Sequence, residues 1–200
     1  DRITASDMDK FFFPHIENDE VIYQTLADKV SDDPFDYTLR GTPILANLPK
    51  MNYDQPLFHR PPLFVYFLAL FRNILGKDSG VLVSVFAGVL IFGALYGIAR
   101  KLYPGKTALA SVILLSFCPL SLFCSTRILI DALLTLFVAL TVWGFLEAVH
   151  TGRKITFALS GVAMGAAILT KEPGLFVALP CAYILFKDGF DKKKGIGLAY

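Results

Sequence analysis

From Leu63 onward the chain is a succession of apolar runs separated by short turns, whereas residues 1–61 contain no long apolar run. The runs are 63–75, 81–99, 107–124, 131–149, 155–170 and 174–186. As helices, the runs 81–99, 107–124 and 131–149 measure about 30 Å, enough to cross the hydrocarbon of a bilayer. The last two are shorter, and Pro180 interrupts the final one, so they tilt, thin the bilayer, or meet in a turn below its surface. The run 63–75 has 13 residues and carries Arg72 and Asn73. That length suits a helix lying in the interface better than one that spans. We therefore expect an interfacial helix over 62–76, with Arg72 reaching headgroups or solvent. Spans follow over 77–200, with the start of a further one at Gly195–Tyr200.

The polar segment reads differently. Tyr23, Leu26, Ala27 and Val30 share one face at helical spacing, which predicts a short helix over 17–30. Asn18 can cap it, leaving Asp19 and Glu20 in the first turn, where acids are favoured. Residues 31–57 hold Asp32, Asp33, Pro34, Gly41, Pro43, Pro49 and Pro56, the composition of loop or extended chain. The two halves meet at Phe58-His59-Arg60-Pro61-Pro62-Leu63. Paired prolines fix φ and lack an N–H, so a helix starts here but does not pass through.

Composition sharpens the class. The chain of 200 residues is 54% apolar and 18% charged, which with this patterning defines an integral membrane protein. The net charge of +2 decides nothing about partners, and no nucleic acid is expected. Cys118, Cys124 and Cys181 all lie in apolar runs, so no disulfide framework is expected. The start at Asp1 without Met and the apolar C-terminal stretch suit a fragment of a longer protein. Nine cations (Arg100, Lys101, Lys106, Arg153, Lys154, Lys187, Lys192, Lys193, Lys194) fall in alternate turns, against two, Arg127 and Lys171, in the others. By the positive-inside rule the nine are cytoplasmic. With 62–76 interfacial, residues 1–61 then form an extracytoplasmic loop. The expected fold is all-α: a polytopic transmembrane helical bundle with an extracytoplasmic first loop and an interfacial helix. The membrane is a prokaryotic plasma membrane in the first instance, an endoplasmic reticulum as the alternative.

This topology gathers Asp19, Glu20, His59, Arg60, Arg127, Asp131, Lys171 and Glu172 at the outer surface. Asp19 and Glu20 are adjacent, so on a helix they point about 100° apart and serve different tasks. Asp19 is either a general base or, with Glu20, a pair that favours the helix dipole. Arg60, Arg127 and Lys171 either hold a phosphate or snorkel to anionic lipid, with His59 beside the first of them. Asp131 either pairs with Arg127 four residues before it or acts as a second acid. Glu172 stands beside Lys171 and can neutralise it. His15, Asp19 and His59 are the nearest approach to a metal set, but Pro14 adjoins His15 and the cluster is sparse, so no metal is assigned. Gly161 and Gly165, spaced four apart, mark close helix packing.

Taken in order, Asp19-Glu20-x-x-Tyr23, then Pro61-Pro62-Leu63 before an aromatic-rich helix ending in Leu75-Gly76, then Arg127-x-x-x-Asp131, then Leu169-Thr170-Lys171-Glu172-Pro173, form a pattern. It resembles the GT-C class of polyprenyl-phosphate-sugar glycosyltransferases, in particular the family of protein O-mannosyltransferases and lipid A aminoarabinose transferases. The likeness runs from about residue 17 to 187. Arg60 stands where many members have Lys before the prolines, and Lys-Glu-Pro stands where Lys-Gly-Pro is common. The resemblance implies inverting transfer of a sugar from a lipid-linked phosphate donor to a hydroxyl on a protein or glycolipid acceptor. It implies Asp19 as base, Glu20 and Asp131 as further acids, and Tyr23, His59, Arg60, Arg127 and Lys171 as substrate or phosphate ligands. No cofactor is implied, and a divalent metal is not favoured. The other partners are membrane lipids. A transporter would place ionisable residues at mid-membrane, and no span has one there. A non-catalytic scaffold binding lipid headgroups is the third reading.

Overall fold

The structure, a computed structural model, describes residues 16–42, 55–57, 60–76 and 79–193. All regular structure among these residues is helical. The helices are α1 (Ile16–Asp32), α2 (Leu63–Leu75), α3 (Gly80–Leu102), α4 (Gly105–Ser116), α5 (Pro119–Ser125), α6 (Ile130–Thr151) and α7 (Lys154–Thr170), then a 3-10 helix (Glu172–Val177) and α8 (Ala178–Lys193). Helix α3 packs along α6, and α6 along α7, forming the centre of the bundle. Helices α1 and α2 pack on each other, and α2 leans on α3 and α7.

Helices α3 and α6 are long and apolar enough to cross a membrane. Large apolar side chains point outward along the bundle, among them Phe86 and Leu90 on α3, Leu114 on α4, Val162 on α7 and Phe186 on α8. In water such a surface would be a liability; facing acyl chains it costs nothing. The molecule is a helical membrane protein. Small residues let its helices approach. A methyl group on Gly88 would strike Ser125, one on Gly97 would strike the Trp143 ring, and one on Gly144 would crowd Ser160. The polar groups inside bond to backbone: Ser84 donates to the Leu129 carbonyl, Ser160 to that of Thr141, and Thr141 to that of Phe137. A hydroxyl paired in this way can be buried without the cost of a lost hydrogen bond.

The structure departs from the sequence pattern in five places. Helix α1 covers Ile16–Asp32, which puts Asn18 inside the helix rather than at an N-cap position. The run 107–124 is not one helix: α4 and α5 are bent by 66° about a short break. Pro119 accounts for this, since it offers no N–H to the preceding turn and pushes Cys118 to extended backbone, ψ 114°. Pro180 falls in the first turn of α8, where a missing N–H is harmless, and that helix continues to Lys193. Gly161 and Gly165 have open space where a Cβ would stand, so the close approaches are made at the glycines named above.

The fifth departure concerns Arg72. It does not reach out to headgroups or solvent. Its side chain is 9% exposed, with Nη2 2.6 Å from Asp28 Oδ1 and Nη1 donating to the Gln24 carbonyl at 3.2 Å. A buried cation requires such partners, and α1 supplies both. Arg72 therefore ties α1 down along α2, together with the edge-on contact of Tyr23 and Phe64 at 5.2 Å.

Candidate active site

The apolar face of α1, with Ile22, Tyr23, Leu26, Ala27 and Val30 buried, presses on Phe64, Val65 and Leu68 of α2. That packing fixes which way the first-turn acids of α1 point. Asp19 faces the start of α2 and accepts from Arg60, Nη2 to Oδ1, at 2.7 Å. The Arg60 guanidinium also lies over the Tyr23 ring, 5.1 Å from its centroid. Burial works against the charge on Arg60. The hydrogen bond to Asp19 and the nearby Tyr23 outweigh it and raise the guanidinium above its ordinary pKa, so it stays a cation.

Glu20, about a third of a helical turn on, takes another direction. Its Oε1 accepts the Ile128 backbone N–H at 3.1 Å, and its Oε2 stands 4.0 Å from Arg127. These belong to the turn between α5 and α6. The far side of that turn is held by Ser84 of α3, whose hydroxyl donates to the Leu129 carbonyl at 3.2 Å. Arg127 lies over the Phe123 ring at 5.5 Å.

Asp131 sits in the first turn of α6, where the helix dipole favours an acid. It pairs with Lys171, Nζ to Oδ1 at 2.8 Å, and not with Arg127 four residues before it. Lys171 caps the C-terminal end of α7 in extended conformation, with its N–H on the Ala167 carbonyl at 3.0 Å. The 3-10 turn after it folds back so closely that a Cβ on Gly174 would lie 2.5 Å from the Ala167 backbone. Glu172 points to solvent, so the acid beside Lys171 in space is Asp131 rather than its sequence neighbour.

The acids and cations singled out in the sequence thus form three pairs: Asp19 with Arg60, Glu20 with Arg127, Asp131 with Lys171. The Tyr23 ring lies under the Arg60 of the first pair. Its phenol is raised by burial, lowered by Arg60, raised by Asp19, and lowered also by the charge of Lys171, with burial prevailing. His59 and His15 lie outside the described residues. Among the described residues no three His, Cys, Asp or Glu side chains converge as a metal site would require. A groove of about 260 Å³ between α6, α7 and α8, lined by Phe145, Phe157, Met164 and Leu185 among others, is apolar and shares no residue with these pairs.

Two supports were invisible in the sequence. Tyr37, buried in the loop after α1, donates its phenol to the Arg60 carbonyl at 3.1 Å. The Ile128 N–H is a backbone group that no residue pattern could single out. Tyr37 carried one weak signal, an aromatic in a loop of Asp and Pro, but nothing pointed from it to Arg60.

The arrangement defines a helical membrane protein with ionic pairs from separate elements gathered about one end of its bundle. A family model described as dolichyl-phosphate-mannose-protein mannosyltransferase matches residues 59–195, so the chain belongs to that family of membrane glycosyltransferases. The match takes in Arg60, Arg127, Asp131 and Lys171 and begins after Asp19, Glu20 and Tyr23. No curated protein and no solved structure matched the chain.

Proposed function

We propose that the protein transfers a sugar, with inversion, from a polyprenyl-phosphate donor to a hydroxyl of a protein or lipid acceptor on the extracytoplasmic face of its membrane. The observation that carries this reading is the pairing of the three candidate cations with three carboxylates in a chain of this family. A sugar leaving a phosphate carrier builds negative charge on that phosphate, and fixed cations stabilise it. Arg60 offers a bidentate fork and Lys171 a point charge. Arg127 stands 4.0 Å from Glu20, the neighbour of Asp19 on α1.

The pairs give the reaction an order. A donor phosphate that takes up Arg60 competes with Asp19 for the guanidinium. Asp19 is 48% exposed, so its release needs no opening of the core. Released, it accepts the proton of the acceptor hydroxyl as that oxygen attacks the sugar carbon and the bond to phosphate breaks. Asp131 and Lys171 share a pair in which the acid holds the cation in place. In this reading residues 1–61 lie outside the membrane and α2 lies in its interface.

The test is transfer by the full-length protein in proteoliposomes, using radiolabelled polyprenyl-phosphate mannose and total membrane protein or lipid as acceptor. Label moving to an acceptor in wild type, and lost in Asp19→Asn and Arg60→Gln, supports the reading. Wild-type protein that binds the donor and never transfers label would favour a headgroup-binding scaffold.

A further inference from the structure

We infer that Tyr37 is a positioning residue for Arg60: it sets the backbone from which the guanidinium reaches a donor phosphate. The inference rests on the reading of Arg60 given above. Among the described residues Tyr37 is bonded to both Leu57 and Arg60. Its carbonyl accepts the Leu57 N–H at 3.0 Å, and its phenol donates to the Arg60 carbonyl at 3.1 Å. Arg60 closes the circuit by donating its own N–H to the Leu57 carbonyl at 2.8 Å.

The local sequence makes this phenol matter. Pro61 and Pro62 follow Arg60 and hold the start of α2 off until Leu63. The helix ladder opens at the carbonyl of the N-cap residue, Pro62, which accepts from the Tyr66 N–H at 3.1 Å. The Arg60 carbonyl therefore lies outside the helix ladder and takes its partner from Tyr37. Tyr37 is 4% exposed, so water is poorly placed to substitute. Burial also pushes its phenol well above the usual range, so it remains a donor at any pH of interest.

Bidentate recognition of phosphate depends on the plane of the guanidinium, and that plane is set by a side chain already laid on Tyr23 and directed at Asp19. A shift in the Arg60 peptide moves the fork off its line. The comparison residue is Tyr66, whose phenol donates to the Pro34 carbonyl at 2.6 Å.

The experiment measures the dissociation constant of a polyprenyl monophosphate for full-length protein in nanodiscs, with thermal unfolding recorded for each variant. Tyr37→Phe should weaken binding about 3- to 10-fold, the scale of one neutral hydrogen bond, at temperatures where the variant is fully folded. Arg60→Gln should weaken it more. Adding Tyr37→Phe to Arg60→Gln should change binding no further, because the tyrosine acts through the arginine. Tyr66→Phe should bind as wild type does. Equal effects of Tyr37→Phe and Tyr66→Phe, or a Tyr37→Phe effect that persists in full beside Arg60→Gln, would overturn the positioning role alone. Lipid phosphate binding that ignores Arg60→Gln would remove the reading of Arg60 and this inference with it.

Discussion

Lys171 Nζ lies 2.8 Å from Asp131 Oδ1, joining the C-terminal end of α7 to the first turn of α6. The residues are 40 apart in sequence, and each has a charged or chargeable neighbour that would have served on spacing alone. Side-chain exposures of 41% and 45% put the pair within reach of water. Exposed pairs of this kind contribute at most about 1 kcal/mol to stability. We therefore expect Asp131→Asn and Lys171→Gln to leave thermal unfolding nearly unchanged while lowering transfer at limiting donor. Calorimetry beside a donor titration checks this. A large loss of stability with unchanged transfer would make the pair structural.

Asp19→Asn is expected to keep expression and folding, to bind donor at least as tightly as wild type, and to lose transfer by roughly 100-fold or more, the scale of a lost general base. Single-turnover kinetics with saturating donor reads that step directly. The base belongs elsewhere if Asp19→Asn transfers at near the wild-type rate while Asp131→Asn is inactive.

Glu20 should behave as a latch. It is 19% exposed and receives a backbone N–H that lies 108 residues away. Glu20→Ala leaves that N–H without its acceptor and should lower stability by about 1–3 kcal/mol. Glu20→Gln keeps an acceptor oxygen and should recover most of the loss. Denaturation midpoints of the two variants in one detergent settle the comparison, and equal midpoints would show that the bond does not hold the turn.

Gly174→Ala forces a methyl group into the Ala167 backbone. Over-packing of this kind costs about 1–3 kcal/mol, and here it displaces the turn that presents Lys171. The variant should melt lower and use donor less well. Gly161→Ala, which meets open space, should do neither. Thermal shift and donor KM for both variants, measured side by side, decide the point.

Topology can be read with single cysteines in a background lacking Cys118, Cys124 and Cys181. Asp36→Cys and Thr126→Cys should react with an impermeant thiol reagent from outside intact cells, and Lys193→Cys should not. The reverse pattern would invert the orientation and place α1 in the cytoplasm.

The sequence by itself determined the class and most of the elements. Runs of apolar residues with cations confined to the turns leave a chain little choice but membrane helices. The period of Tyr23, Leu26, Ala27 and Val30 announced α1, and the double proline announced the start of α2. The family was legible because its motifs are short and local, as in Pro61-Pro62-Leu63 and Lys171-Glu172-Pro173. Adjacency on a helix also told that Asp19 and Glu20 must face apart, since 100° per residue is fixed by the backbone. Pairing was not legible, because partners are chosen in space. Asp131 had Arg127 one turn away and Lys171 had Glu172 next to it, yet the packing of α6 on α7 joined Asp131 to Lys171. Arg72 looked like an interfacial cation until α1, lying along α2, supplied Asp28 and the Gln24 carbonyl. The break at Cys118-Pro119 was written in the sequence, but a proline in an apolar run is equally compatible with a kinked span. Only the tertiary structure decided for two helices bent by 66°. Tyr37 and the Ile128 N–H mark the furthest limit. The Tyr37 phenol and the Ile128 N–H make hydrogen bonds across 23 and 108 residues, and no local pattern encodes a bond of that reach.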